Sequence, residues 1–258
     1  MPKKKKRDSF QELIKVVRRL RKECPWDREQ THQSIRHNLI EETYEVLEAI
    51  DQNDFVELKR ELGDLLLHVV FHAVMAEEKR AFKINDVVES ISEKLIRRHP
   101  HVFKSVVVND SHEVKRNWER IKMTEGRTSV LDGVPKEMPA LLRALRIQEK
   151  ASKVGFDWKK KRAVWKKVDE EIKELVGAER SKNQIHIEEE YGDLLFALVN
   201  YSRFIGVNPE FALKGSVNKF TRRFQHIEEE LKHRGKRIGT VSLKEMDKIW
   251  DAKKKLKS

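Results

Sequence analysis

The sequence contains few of the residues that form disulfides, tight turns and membrane spans. Cys24 is the single cysteine among 258 residues, so no disulfide can form within one chain, and a reducing compartment is expected. Ten glycines and six prolines are few for this length, which argues against a sheet with many turns and favours long helices. The most apolar stretch, residues 65–76, is interrupted by His68 and His72 and is too short to span a bilayer.

The sequence also begins without the apolar core of a signal peptide, and we therefore expect a cytoplasmic protein with no membrane partner. Charged residues are abundant by contrast, at 38% of the chain, and the formal net charge is +12. Part of this excess lies in two lysine-rich stretches, residues 3–7 and 253–257, of a kind that is usually solvated. A basic balance suits anionic substrates, and it leaves a basic helical nucleic-acid-binding protein as one open alternative.

An acidic pattern occurs twice in the sequence, with the second copy 129 residues after the first. Residues 41–45 read EETYE and residues 61–64 read ELGD, while residues 170–174 read EEIKE and residues 190–193 read EYGD. The repeated positions are Glu41, Glu42, Glu45, Glu61, Gly63 and Asp64 in the first half and Glu170, Glu171, Glu174, Glu190, Gly192 and Asp193 in the second. A fixed internal period indicates a duplicated unit.

The spacing of these acids points to a shared chemical role. Residues three apart lie on one face of a helix, so Glu42 points the same way as Glu45, and Glu61 the same way as Asp64. Two such helices packed antiparallel would gather four carboxylates, which raise one another's pKa unless a cation neutralises them. Most acid pairs on helices are simply solvated, but these lie at the edge of apolar stripes, where an unpaired charge is costly. Ligand sets made only of oxygen suit Mg²⁺, with Mn²⁺ as a substitute.

Apolar periodicity predicts a chain built of helices, and turn residues divide it into two domains. The predicted helices cover residues 10–22, 31–51, 55–79, 85–99, 114–123, 164–176, 185–204, 209–234 and 243–254. Asp54 is expected to cap the third of them. Residues 126–139 contain two glycines and two prolines and form the predicted linker. The predicted domains are residues 8–125 and residues 140–258.

A second repeated pattern combines cations with a tryptophan, in the same order in both halves. The first half contains Lys94, Arg98, Trp118 and Lys122, and the second contains Lys219, Arg223, Trp250 and Lys254. Lysine and arginine one helical turn apart would bind phosphate oxygens, and a tryptophan one turn from a lysine would stack a base. Taken alone, a basic helix face is usually solvated, and a tryptophan on a terminal helix equally well anchors a core or an interface.

Two histidines follow the first acidic pattern without a counterpart in the second. His68 and His72 match Ala197 and Tyr201, so we interpret them as helix or interface histidines and not as metal ligands. A carboxylate-bridged di-iron bundle is a further alternative, but such sites add Glu-x-x-His pairs, and both halves have ExxD in that place.

The pattern EExxE, fifteen residues and ExxD, placed on two predicted helices, resembles the all-α nucleoside triphosphate pyrophosphohydrolases. Two tandem copies resemble the MazG family in particular. Three further segments are similar to that family, namely CPWD at residues 24–27 followed by QTH at residues 30–32, LIRRHPHVF at residues 95–103, and VGFDW at residues 154–158. The resemblance extends from about Phe10 to Lys254.

The resemblance implies a fold, an activity and an assembly. The fold would be all-α, with two tandem helical MazG-type domains whose four-helix-bundle-like cores are completed by dimerisation. The activity would be Mg²⁺-dependent hydrolysis of nucleoside triphosphates, ribo- and deoxyribo- over a broad range, to monophosphate and pyrophosphate. The implied role is housecleaning of nucleotide pools by a homodimer, and specific nucleic-acid binding is not expected. The preferred base and the attacked phosphorus are not implied.

The family's site residues carry over to matching positions in both halves. Metal binding would fall to Glu42, Glu45, Glu61 and Asp64 in the first half and to Glu171, Glu174, Glu190 and Asp193 in the second, the latter four being the expected catalytic set. Lys219, Arg223, Trp250 and Lys254 would hold the nucleotide, with Lys94, Arg98, Trp118 and Lys122 as their counterparts. Because more cations precede the second acidic pattern, among them Lys166 and Lys167, the second half is expected to carry most of the turnover.

Overall fold

The computed structural model describes residues 8–126 and 128–255, and every regular element in these ranges is a helix. The all-α prediction is therefore confirmed for the described part of the chain. The chain divides into two compact units, Met1–Val114 and Lys115–Ser258. The predicted domain limits, residues 8–125 and 140–258 on either side of a linker at residues 126–139, stay a prediction. None of the described helices has both the length and the apolar character needed to span a membrane.

The first unit is built around one long helix. Its helices are α1 (Ser9–Glu23), α2 (Pro25–Glu29), α3 (Arg36–Gln52), α4 (Phe55–Glu78), α5 (Ile84–Arg98) and α6 (Pro100–Phe103), and α7 (Ser111–Thr124) crosses the point of division. Helix α4 packs against α1, α3 and α5. The core contains Ile14 and Val17 from α1, together with Val70, Phe71 and Val74 from the second half of α4. The first half of α4 stays more open, and its Leu62 is 50% exposed.

A short turn forces α3 and α4 into a hairpin. Asn53 ends α3 in the left-handed conformation with φ of 54°, which asparagine tolerates better than most residues. Asp54 then caps α4 by accepting hydrogen bonds from the backbone N–H groups of Val56 and Glu57, as predicted. Helix α3 begins later than the predicted residue 31. The hydroxyls of Thr31 and Ser34 bond to nearby backbone groups there and compete with helix formation.

Arg21 fastens the segment that follows α1. Its guanidinium donates to the carbonyl oxygens of Asp27, Arg28 and Gln30, and pairs with Glu78 at 2.6 Å. The hydrogen bond from Arg21 holds the pKa of Glu78 below its usual range. The side chain of Arg21 is only 9% exposed, so this one residue ties α2 and the QTH segment to α1 and α4.

The second unit repeats the hairpin. It contains α8 (Ala140–Lys153), α9 (Lys161–Ser181), α10 (Gln184–Phe204), α11 (Pro209–His233) and α12 (Leu243–Lys255). Lys182 ends α9 in the left-handed conformation with φ of 55°, and Asn183 caps α10. These two residues lie 129 positions after Asn53 and Asp54, so the duplication extends to the turn. The predicted end of α9 at residue 176 was wrong, because Gly177 stays helical and the chain turns only at Lys182.

Helix α8 was not assigned by the sequence analysis, although it packs on both α10 and α11. Its Lys150 is 6% exposed and donates from Nζ to the carbonyl oxygens of Val130 and Asp132, at 3.1 and 2.9 Å. These bonds hold the residues before α8 against the unit. Arg203 of α10 pairs with Asp157 of the VGFDW segment at 2.6 Å, which fixes the residues after α8 in the same way.

Three partly buried histidines form a cluster in the first unit. The Nδ1 atoms of His32 and His72 are 2.8 Å apart and their rings stack at 5.1 Å, with the ring of His68 6.2 Å from that of His72. Burial lowers the pKa of His68 and of His72, and the neighbouring histidines lower that of His72 further. His68 Nδ1 and His72 Nε2 are buried without a hydrogen-bond partner in the described structure.

We predict that mild acid destabilises the first unit through this cluster. Since the folded-state pKa values lie below that of an unfolded histidine, about 6.5, the cluster favours folding above this pH, and the stabilisation is lost as the pH falls below it. The double variant His68→Ala/His72→Tyr introduces the residues of the second unit at these positions. Its melting temperature should fall less than that of the parent between about pH 7.5 and pH 5.5. An equal fall in both proteins would contradict the prediction.

Candidate metal and nucleotide site

Each helix hairpin brings three carboxylates together. In the first unit, Glu42 and Glu45 of α3 and Glu61 of α4 each offer an oxygen, and these oxygens lie within 4.8 Å of one another. In the second unit, the corresponding residues are Glu171 and Glu174 of α9 and Glu190 of α10. We call these sets the first and the second acid triad. The same three positions converge in both units because the turn in each hairpin aligns its two helices with the same offset.

The fourth acid of each pattern lies one helical turn beyond its triad. Asp64 follows Glu61 on α4, and its charge contributes to raising the pKa of Glu42. Asp193 follows Glu190 on α10 and lines a cavity together with Glu171. The structure therefore gathers three of the four predicted ligands tightly in each unit and places the fourth beside them.

The first triad carries negative charge that its neighbours do not neutralise. Partial burial, a hydrogen bond with Glu57 and repulsion by Glu45 raise the pKa of Glu61 to about 7. Partial burial, followed by the charges of Asp64 and Glu45, raises the pKa of Glu42 as well. Such a cluster must bind a proton or a cation near neutral pH. Carboxylate oxygens are the donors that Mg²⁺ and Mn²⁺ prefer, so the residues fit the predicted metal.

The second triad has a lysine beside it. Lys167 Nζ lies 2.6 Å from Glu170 Oε1 and 2.6 Å from Glu171 Oε1, and these hydrogen bonds raise the pKa of Lys167. Glu171 is 5% exposed, so its charge is buried with this partner. Burial and a hydrogen bond with Glu171 raise the pKa of Glu174, against the opposing effect of Lys167. The matching position in the first unit is Asn38, which carries no charge.

A cavity of about 590 Å³ adjoins the second triad within the second unit. Its polar and charged wall residues are Gln148, Lys167, Glu171, Asp193, Asn200 and Arg203. Its aromatic wall residues are Phe156, Trp158 and Phe196, and Leu131, Ile147, Ala151, Val164 and Ala197 complete it. Sequence reasoning marked Trp158 and Lys167 but missed the amides Gln148 and Asn200, since single amides on helices carry no spacing signal. The nearby Trp165 is not part of this wall and packs edge-on against Tyr201, with ring centroids 4.7 Å apart.

The predicted nucleotide-binding cations and tryptophans form local pairs. The guanidinium of Arg223 lies 5.3 Å from the ring centre of Trp250, joining α11 to α12, and Lys122 Nζ lies 4.4 Å from that of Trp118 on α7. Trp250 also packs on a small core of Ile227, Leu231 and Ile249. Lys219 is exposed on α11, Lys94 and Arg98 are half-buried on α5, and the side chain of Lys254 is outside the described part. Their roles in nucleotide binding stay predictions.

Comparisons with known proteins agree with the duplicated pattern. A family model described as the MazG nucleotide pyrophosphohydrolase domain matches residues 30–103 and residues 160–228, and each match contains one triad. The chain is 45% identical over 250 residues to the nucleoside triphosphate pyrophosphohydrolase/pyrophosphatase MazG of Thermotoga maritima, covering 95% of both chains. It is also 45% identical over 252 residues to the nucleoside triphosphate pyrophosphohydrolase of Escherichia coli K12, covering 94% of this chain and 96% of that one.

Among solved structures, the crystal structure of a mazG-related protein from Thermotoga maritima is 25% identical to the chain. The match covers 44% of this chain and 98% of that chain, with a TM-score of 0.40.

We predict that Glu45→Gln and Glu174→Gln each weaken Mg²⁺ binding in their own unit without unfolding it. Loss of one carboxylate removes a ligand oxygen, while it also relieves repulsion, so the metal-free protein should melt at the same temperature or higher. The expected loss of affinity is on the order of tenfold, about 1.4 kcal/mol, in a calorimetric titration.

The control for this measurement is Glu48→Gln. Glu48 lies one turn after Glu45 on α3, is exposed and belongs to neither triad. Titrations of Glu45→Gln and Glu174→Gln that match both the parent and Glu48→Gln would remove the metal assignment.

Proposed function

The chain belongs to the MazG nucleotide pyrophosphohydrolase family and hydrolyses nucleoside triphosphates to monophosphate and pyrophosphate, and we propose that the second acid triad, with Mg²⁺, carries this turnover. The observation that supports this assignment is the cavity of about 590 Å³, whose wall includes Glu171 of the triad. The same wall therefore offers carboxylates for a metal and aromatic rings for a nucleoside. A broad substrate range, a homodimer and a cytoplasmic housecleaning role belong to the same proposal.

The residues of the second triad have distinct tasks in this mechanism. Glu171, Glu174 and Glu190 would hold Mg²⁺, which when bound neutralises the triphosphate and polarises its phosphorus–oxygen bonds. Lys167 adds a fixed positive charge at the wall of the cavity, where it pairs with Glu171 and favours a polyphosphate. A carboxylate beside the triad that is not fully engaged with the metal would accept the proton of the attacking water, and we assign this role to Asp193, which lines the cavity with Glu171.

Matching positions differ between the two units in a way that favours the second. Asn200 and Arg203 of the cavity wall correspond to Phe71 and Val74, which are buried in the apolar core of the first unit. Ala197 corresponds to His68 of the histidine cluster, and Lys167 to Asn38. At these two positions the first unit therefore has apolar core residues where the second has polar wall residues. This difference supports the expectation, first drawn from the charge pattern, that the second half carries most of the turnover.

The two alternatives drawn from the sequence have less support. A di-iron centre would need histidine ligands, and within the described residues neither triad contains one. Nucleic-acid binding would account for the net charge of +12 but not for the two acid triads. Their carboxylates would repel a phosphate backbone unless a metal were bound.

We predict that monophosphate and pyrophosphate are the products from each of the common ribo- and deoxyribonucleoside triphosphates. The reason is that the triad and Lys167 would grip the triphosphate chain beside the nucleoside cavity, which places cleavage within the chain and not at its end. Chromatography of products formed with Mg²⁺ tests this, and hydrolysis in ¹⁸O-labelled water identifies the attacked phosphorus. Diphosphate and orthophosphate as the main products would overturn the reaction class.

We also predict that the two triads contribute unequally. Glu171→Gln/Glu174→Gln should lower kcat on the order of a hundredfold or more, as expected for loss of metal catalysis. Glu42→Gln/Glu45→Gln should keep kcat within about twofold of the parent, because Phe71 and Val74 replace two polar residues of the cavity wall in its unit. Both variants are assayed at saturating Mg²⁺ after their melting temperatures are checked. Near-normal turnover in the second-triad variant would reverse the assignment, and halved turnover in both would make the sites equivalent.

A further inference from the structure

Helix α9 begins in a cluster of unpaired cations. Residues 159–166 read KKKRAVWK and contain no acid. The five cations, all exposed, are Lys159, Lys160, Lys161, Arg162 and Lys166. Within the described part of the chain none of them forms an ion pair, whereas the next residue, Lys167, pairs with Glu170 and Glu171. Neighbouring cations repel one another and are unfavourable at the positive, N-terminal end of a helix, so this cluster does not stabilise α9.

The hairpin does not need these cations in order to fold. The matching residues of the first unit, 30–37, read QTHQSIRH, yet that unit forms the same hairpin and the same acid triad. Lys161 matches His32, which contacts His72 of the histidine cluster, and Trp165 matches Arg36. The cation cluster and its tryptophan belong to the second unit alone, which indicates a function of that surface and not a requirement of the fold.

Two aromatic rings lie beside the cations. Trp165 follows Lys161 by one helical turn, so both lie on the same face of α9. The ring of Trp165 packs edge-on against Tyr201 of α10, which holds the indole in place, and Trp165 is still 44% exposed. Lys161, Arg162, Trp165 and Tyr201 together line a depression of about 340 Å³. We call the five cations, with Trp165 and Tyr201, the basic patch.

The chemistry of the basic patch suits phosphates that are joined to flat rings. Lysine and arginine bind phosphate oxygens, and an exposed tryptophan stacks on a base of any kind, because every base has a π-face. Cations that follow a strand beside stacking aromatics are how proteins bind single strands without reading their sequence. A duplex hides the faces of its bases, and a free nucleotide is too short to meet cations spread over residues 159–166. A membrane surface is matched less well, because membrane anchors project from a protein, whereas Trp165 lines a depression.

We propose that the basic patch binds single-stranded nucleic acid without sequence preference, with one base stacked on Trp165 and the neighbouring phosphates held by Lys161, Arg162 and the other three cations. The surface is separate from the cavity beside the second triad, whose wall contains neither Lys161 nor Trp165. It needs no metal, since cations of the protein hold the phosphates. This binding goes beyond the hydrolysis of nucleoside triphosphates and does not depend on which triad carries the turnover.

Fluorescence anisotropy of a labelled oligothymidylate of about 16 nucleotides tests the proposal with a strand as long as single-strand sites cover. The full chain is titrated in the presence of a chelator, so that no metal joins the phosphates to an acid triad. Lys161→Gln/Arg162→Gln should weaken binding about tenfold at low salt and reduce the slope of log K against log salt by about 1.4, since each phosphate contact with a single strand contributes about 0.7. The control is Lys244→Gln/Lys248→Gln, which removes the same charge from exposed positions on α12 and should bind like the parent.

A second pair of variants separates stacking from charge. Trp165→Leu should weaken binding about tenfold because it removes the stacking ring, but it should leave the salt slope unchanged because it removes no phosphate contact. Trp165→Phe keeps an aromatic ring and should bind within about twofold of the parent. All the altered side chains are exposed, so each variant should melt near the temperature of the parent, and this is checked first.

Weaker binding in the patch variants, with recovery in Trp165→Phe, supports the proposal. An oligonucleotide that fails to bind the parent, or that binds the patch variants as tightly as the control, overturns it. A duplex of the same length that binds as tightly as the single strand also overturns it, since charge alone would then account for binding. Displacement of the strand by a nucleoside triphosphate, but not by sulfate at the same ionic strength, would make free nucleotides the occupant and would equally overturn it.

Discussion

Repulsion among carboxylates held on two packed helices is the constraint on which the rest of the structure depends. Each hairpin has a left-handed residue followed by a capping residue, Asn53 and Asp54 in one unit and Lys182 and Asn183 in the other. This turn fixes the stagger of the helices and with it the convergence of three acids. Partial burial, a hydrogen bond with Glu57 and repulsion by Glu45 together raise the pKa of Glu61 to about 7. Carboxylates clustered in this way favour the binding of a divalent cation, and the bound cation would in turn bind a polyphosphate.

The two units meet this constraint differently on the same scaffold. In the second unit, Lys167 neutralises part of the charge and the space beside the triad stays open as a cavity with a polar and aromatic wall. In the first unit, the positions that match Asn200 and Arg203 are filled by Phe71 and Val74, and three partly buried histidines cluster close by. Duplication thus preserved the acids in both copies, whereas the surroundings that would receive a nucleoside diverged.

In the first unit, the acids of α4 lie on the less covered half of that helix. The second half of α4 is buried, with Val70 fully enclosed, but the half that carries Glu61 leaves Leu62 50% exposed and Leu66 39% exposed. An apolar helix face of this kind beside a charged site is what the predicted homodimer would cover, which would also reduce the access of water to the triads. The assembly remains a prediction, and it makes the environment of the acids dependent on a second copy of the chain.

The sequence by itself determined the helical class, the duplication and the identity of the acids. A helical period of three to four residues and a constant offset between two copies can both be read from the order of the residues alone. It did not reveal α8, the continuation of α9 through Gly177, or the buried amide of Gln148, since a single amide on a helix has no pattern. Tertiary structure decided which acids converge and which atom of Gln148 stays free. Those outcomes depend on packing between helices distant in sequence, where the carbonyl of Phe196 takes the amide N–H and leaves the oxygen without a partner.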